Sequence, residues 1–208
     1  MTEDILFEDE HLLIMVKPAD VLSEPSDDTA FGTIHPITRL DRQTEGLILY
    51  AKTADAAARL SHLIRSGAIE KTYLAAVEGI PDREQGELSD LLFYDRRRGK
   101  SYVVDRERKG VRRASLSYEL IDSTSIAGQP VSLLRIRLHT GRTHQIRVQM
   151  GARGMPVVGD RRYGSRVRSS KLLLCSHRLT FRHPYTHEHI DIRYIPEDEP
   201  LFELGDPR

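Results

Sequence analysis

Thr38-Arg39-Leu40-Asp41-Arg42-Gln43-Thr44-Glu45-Gly46 leads directly into the apolar run Leu47-Ile48-Leu49-Tyr50. A polar stretch closed by glycine and followed by an unbroken apolar run reads as a loop feeding a buried strand over residues 46–52. The loop sets Asp41 between two arginines. Guanidinium groups beside a carboxylate favour its charged form, so Asp41 is the first candidate for chemistry. A second arginine-rich stretch follows about a hundred residues later, Leu138-His139-Thr140-Gly141-Arg142-Thr143-His144-Gln145-Ile146-Arg147-Val148-Gln149.

Working outward, residues 5–7 and 12–16 form an apolar pair expected to make a short hairpin ending at Lys17-Pro18. Residues 18–36, with three prolines and several acids, read as an irregular loop. Downstream, Thr53 is placed to cap a helix over 55–66 whose Ala56, Leu60, Leu63 and Ile64 share one face, and Gly67 is its stop. A strand is expected over 70–78. Residues 79–113 are charged and poorly patterned, an excursion with a weak hairpin around 101–105. Residues 114–121 and 131–138 alternate with the strand period, and 143–152 are helical with Thr143 as cap. Segments 171–175, 178–182 and 189–194 read as closing strands. This order lacks regular βαβ alternation and predicts an α+β fold, a mixed, largely antiparallel sheet with a few flanking helices, in one domain spanning 1–208.

The 208 residues balance 31 Lys/Arg against 31 Asp/Glu. The distribution is uneven. Residues 1–34 hold nine acids and one lysine, whereas 96–113 hold nine basic residues against two acids and 135–171 hold ten against one. Acidic ends and basic middle segments allow a positive face for phosphates despite overall neutrality. The longest apolar run, residues 12–16, is far too short to cross a bilayer, and the acidic start is no secretory signal. One cysteine, Cys175, allows no internal disulfide and suits a reducing cytoplasm. There is no CxxC, HExxH or phosphate-binding glycine loop, so metal and nucleotide-hydrolysis chemistry lose support. His183, His187, His189 and Cys175 lack a compact ligand spacing and read as ordinary polar strand positions.

Bottom-up, the chemistry-bearing inventory is Asp41, a strand tyrosine (Tyr73) and Arg147 with Arg142, His144 and Gln145 nearby. It suits a nucleophilic carboxylate oriented by an arginine, with a phenol for proton transfer. Arg142, Arg147 and Arg153 suit phosphate. Lys52 and Lys71 either contact phosphate or cover strand ends.

Arg39-Leu40-Asp41-Arg42-x-Thr-x-Gly46-Leu-Ile-Leu, Ala51-Lys52-Thr53, Glu70-Lys71-x-Tyr73 and Thr140–Arg147 resemble the RluA-type pseudouridine synthases. So do Pro156-Val-Val-Gly159-Asp160-x-x-Tyr163-Gly164 and Leu179-Thr-Phe181-x-His183-Pro184. The resemblance runs from about residue 5 to about residue 196, in the family's order. It implies a cofactor-free isomerase that cuts the C1′–N1 bond of uridine, turns the uracil and forms a C1′–C5 bond.

The same resemblance makes Asp41 the catalytic aspartate, acting by attack on C1′ or by removing a sugar proton. Tyr73 becomes the acceptor of the C5 proton and Arg147 the partner of the aspartate. Arg39 is expected to fill the gap left by a flipped base, with Arg42, Lys71, Arg142, His144 and Gln145 also on the RNA. The expected partner is a structured tRNA or rRNA stem-loop, met by a monomer without an S4-type domain. Thr38, Gln43 and Val16 stand where relatives usually carry His, an acid and Asn, which bears on substrate preference. An RNA-binding or RNA-chaperone module on the same fold is the alternative. A carboxylate facing a phosphate-rich ligand favours the enzyme.

Overall fold

Leu47–Tyr50 is apolar without interruption because both of its faces are covered. In the computed structural model, which describes residues 4–24 and 34–203, they lie in a strand buried along nearly its whole length. In chain order the elements are β1 (Ile5–Glu8), β2 (Leu12–Lys17), β3 (His35–Pro36), β4 (Glu45–Ala51), α1 (Ala54–Arg65) and β5 (Glu70–Glu78). Then come β6 (Gln85–Asp95), β7 (Lys100–Val104), β8 (Val111–Ile126), β9 (Gln129–Leu138), α2 (Gln145–Gly151), a 3-10 turn (Arg161–Tyr163), β10 (Leu174–Arg182), β11 (His189–Arg193) and α3 (Pro200–Glu203). The strand-rich α+β class expected from the sequence holds.

These elements divide into two compact units, 1–72 with 175–196 and 73–174 with 197–208. In the first, β1 pairs antiparallel with β2, β2 with β4, β3 with β4 and β10 with β11, while β4 and β10 run parallel. Alternate residues of β2 and β4 feed two cores. Leu12, Ile14, Leu47, Leu49 and Ala51 pack with Ala56 and Leu60 of α1 and with Leu179, Phe181 and Ile190. Leu13, Met15, Ile48 and Tyr50 pack with Ile34 on the other face. Helix α1 starts as expected, with Thr53 Oγ1 accepting from Ala56 N at 3.1 Å.

In the second unit β9, β8, β6 and β7 pair antiparallel in that order, with β5 beside β9. Ala127 and Gly128 both have positive φ and close the tight β8–β9 hairpin. Three expectations need correction. Residues 79–113 are no loose excursion: an eleven-residue β6 crosses them and pairs with both β7 and β8. Asp90 shares the inward face with Leu88 and Leu92, and Leu91 and Phe93 lie on the other face, which masked the alternation. Helix α2 is not capped by Thr143; His144 takes the cap position in left-handed geometry, φ 55°, with no side-chain cap bond. The two closing strands at 171–175 and 178–182 are one continuous β10.

Candidate active site

The loop bearing Asp41 is fixed in the first unit through its backbone. Ile37 N and Thr38 N both donate to Leu49 O, at 2.8 and 3.2 Å, and Thr38 Oγ1 accepts from Leu49 N at 2.9 Å. The buried Thr38 therefore fastens the loop to β4. Ser23 clips the residue before Asp41 twice, its hydroxyl donating to Leu40 O at 2.9 Å and accepting from Leu40 N at 3.0 Å. Thr44 N donates to Asp41 O at 2.9 Å, closing a turn around Arg42-Gln43. Asp41 ends up half-buried at the corner of that turn.

The flanking arginines point away from this turn. Arg42 Nε donates to Asp20 O at 2.9 Å and Arg39 pairs with Glu24 at 3.5 Å, both side chains on the surface. The cation built into the loop is Lys17 instead, 3 % exposed at the end of β2. Its ammonium donates to Pro18 O at 2.7 Å, Val21 O at 2.9 Å and Arg42 O at 3.1 Å. Burial pushes its pKa down to about 8, opposed by the charges of Asp20, Asp41 and Glu45. Sequence reasoning missed Lys17 as a functional residue. The signal was there, a lysine closing a wholly apolar strand before proline, where the register makes it inward-facing.

Lys17 sets a pH dependence. Its proton leaves the folded chain near pH 8 and the unfolded chain only around 10.5. Between these values the unfolded state holds more protons, so the free energy of unfolding rises with pH, by at most about 1.4 kcal/mol per pH unit for one group. Urea titrations from about pH 7.5 to about pH 10 should show this rise in the wild type and not in Lys17→Met. Parallel curves for the two proteins would remove Lys17 as its source.

The second unit holds Tyr73, 7 % exposed on β5, and Arg147, 2 % exposed on α2. Arg147 is gripped by a residue that sequence reasoning did not pair with it. Its Nε donates to Asp160 Oδ2 at 2.6 Å and its Nη2 to Asp160 Oδ1 at 3.0 Å, with both side chains buried. Ahead of α2, Gln145 shapes the loop from within: its carbonyl oxygen accepts from Thr140 Oγ1 at 2.7 Å and Arg142 N at 3.0 Å, and its amide donates to Ser115 O at 3.0 Å. The exposed Arg142 donates from Nε to Arg113 O at 3.0 Å.

His144 meets Tyr163 Oη through Nδ1 at 2.9 Å. Ser101 N–H donates to the same phenol oxygen at 2.8 Å, so this hydroxyl links the backbone of β7 to the start of α2. Burial raises the Tyr163 pKa and favours the neutral phenol.

Other basic candidates have structural partners. Lys52 donates to Glu8 Oε1 and Asp9 O, each at 2.7 Å, and covers a strand end. Arg153 forks onto Asp90 at 3.0 and 3.2 Å. Lys71 lies half-buried on β5. Among the described residues no group of three or more His, Cys, Asp or Glu is placed to hold a metal, and no helix is long and apolar enough to cross a membrane.

Residues 11–152 match the family model described as RNA pseudouridylate synthase. The chain is 33 % identical over 206 residues to "Uncharacterized RNA pseudouridine synthase YhcT" of Bacillus subtilis, covering 89 % of this chain and 66 % of that protein. It is 32 % identical over 210 residues to "Dual-specificity RNA pseudouridine synthase RluA" of Pasteurella multocida, covering 93 % of each. Among solved structures, "Human RNA Pseudouridylate Synthase Domain Containing 1" superposes with a TM-score of 0.79 at 22 % identity, over 96 % of this chain and 86 % of that one, a likeness of fold.

Proposed function

The chain belongs to the RNA pseudouridylate synthase family, and from that premise we propose that it converts uridines in structured tRNA, rRNA or both to pseudouridine, with Asp41 starting the reaction. The family's chemistry is an isomerisation. The C1′–N1 bond breaks, a C1′–C5 bond replaces it, and the proton on C5 leaves as one is returned to the ring. Nothing is gained or lost overall, which suits a site made of side chains alone.

The observation that carries the reading is the seat of Asp41. Backbone bonds from Leu49, Ser23 and Thr44 hold its loop, and none of them uses the carboxylate. The loop is thus positioned through its main chain, which sets Asp41 in a fixed place and suits attack on C1′ or removal of a sugar proton. Tyr73 takes the C5 proton and Arg147 orients the aspartate, as a planar bidentate cation does well. Among the described residues Arg39 pairs with Glu24 in an exposed contact at 3.5 Å, worth little against a stacked position in RNA. Arg42, Lys71, Arg142 and His144 meet the RNA, and Gln145 shapes the loop that presents them. A target uridine inside a stem-loop must first be extruded, since the sugar is otherwise out of reach. We take the whole chain to act as one catalytic domain, as a monomer in the cytoplasm.

The test is tritium release from C5-labelled uridine in transcribed tRNA and rRNA, joined to pseudouridine maps of total RNA with and without this gene. Loss of discrete sites on deletion, restored by the gene, is expected. Maps that are identical, with no tritium released from any RNA, would leave only RNA binding.

A further inference from the structure

The segment Pro156–Gly164 has no part in the chemistry as described, yet it touches both elements of the second unit that bear proposed catalytic residues. Along β5 it adds backbone rungs: Glu78 N donates to Pro156 O at 2.9 Å, Val158 N donates to Ala76 O at 2.8 Å, and Val77 bridges Val157. Three residues further it delivers the Asp160 carboxylate to Arg147. Tyr163 then lies against the same guanidinium, 5.3 Å from ring centre to Arg147 Cζ.

The segment is held in turn by its own surroundings. Gly159 has φ +82°, and a Cβ there would strike Lys171 O, so the chain passes where no side chain fits. Gly159 N donates to Ser165 Oγ at 3.0 Å, and that hydroxyl donates to Glu78 Oε1 at 2.6 Å. The same carboxylate oxygen accepts from Arg166 N and Val167 N at 2.7 and 2.8 Å. Tyr163 N and Ser165 N both donate to Asp160 O, at 3.1 and 3.0 Å.

Fold stability gives a poor account of such an arrangement. Replacing a buried ion pair by apolar residues of similar volume is often neutral or stabilising, because desolvating two charges offsets their attraction. What the pair supplies is direction. Two of the five guanidinium N–H groups are fixed on Asp160, which sets the plane and heading of the other three. We propose that Asp160 is a positioning residue for Arg147, and that Pro156–Gly164 is the support that holds Arg147 and the strand of Tyr73 in one geometry. The inference rests on the catalytic role proposed for Arg147.

The experiment is a kinetic double-mutant cycle on tritium release, with melting curves for every variant. Asp160→Asn keeps the shape and removes the charge; kcat should fall about 100-fold with KM within about threefold, the pattern of lost orientation. Asp160→Glu keeps the charge and shifts it by one methylene. It covers the case in which the Asn variant does not fold, and its kcat should fall at least about tenfold. Arg147→Lys should itself lose rate, and adding Asp160→Asn to it should cost no more than a further threefold or so.

Wild-type kcat in folded Asp160→Asn or Asp160→Glu, or full additivity in the cycle, overturns the positioning role while leaving Arg147 intact. Wild-type rate in Arg147→Lys overturns the reading of Arg147 itself, and the inference with it.

Discussion

Asp41→Asn is expected to stop tritium release, with a rate loss of at least about 10,000-fold, while the protein still melts within a few degrees of the wild type. Removing the nucleophile or base of a concerted site costs about this much, since the remaining groups have nothing left to orient. The amide keeps the size of the carboxylate and loses its charge and basicity. Folding is spared because the loop is fastened through Leu49, Ser23, Thr44 and the Lys17 ammonium, whose bonds all go to backbone or to the hydroxyls of Thr38 and Ser23. A variant that binds RNA as the wild type does and releases no tritium assigns the carboxylate to chemistry. Undiminished release would remove Asp41 from the reaction.

Gly46→Ala is expected to be the most damaging single methyl in the first unit, costing about 4 kcal/mol, roughly half from backbone strain and half from overpacking. Gly46 has φ +117°, and a Cβ would strike Ser176 O and lie 2.7 Å from Ser176 N. Both are main-chain atoms of β10, the strand that pairs in parallel with β4 at this point. Neither can rotate aside as a side chain would. A loss of that size is a large part of the 5–15 kcal/mol that holds a typical domain together. Urea unfolding measures it directly, and a loss below about 1 kcal/mol would show that β10 moves aside.

The elements legible in the sequence are those whose pattern has a single local cause. The run at 47–50 could be read as a buried strand because nothing but burial on both faces explains it. Thr53 and Gly67 bracket α1 through capping and chain reversal, both local effects. Strand β6 escaped because Asp90 stands between Leu88 and Leu92 on their own face while Leu91 and Phe93 lie on the other, so no clean alternation shows. Thr143 looked like a cap by composition, but Ser101 Oγ donates to its carbonyl at 2.5 Å and the chain turns one residue later.

The site divides the same way. Asp41, Tyr73 and Arg147 stand out as residue types in motifs. The partner of Arg147 lies thirteen positions downstream in another motif, and no spacing rule links a helix arginine to an aspartate in a glycine turn. Lys17 needed the register of β2 before its ammonium could be placed under Arg42.

Cys175, the sole cysteine of the chain, is fully buried and stands opposite Glu45 in the parallel pairing of β4 and β10. A thiol reagent reaches a fully buried thiol only when the structure around it opens, so the alkylation rate of the untouched protein reads the opening frequency around β10, the strand behind the Asp41 loop. The molecule thus carries a built-in reporter at one defined place. No label need be introduced, and RNA that clamps this region should slow the reaction in proportion to its occupancy.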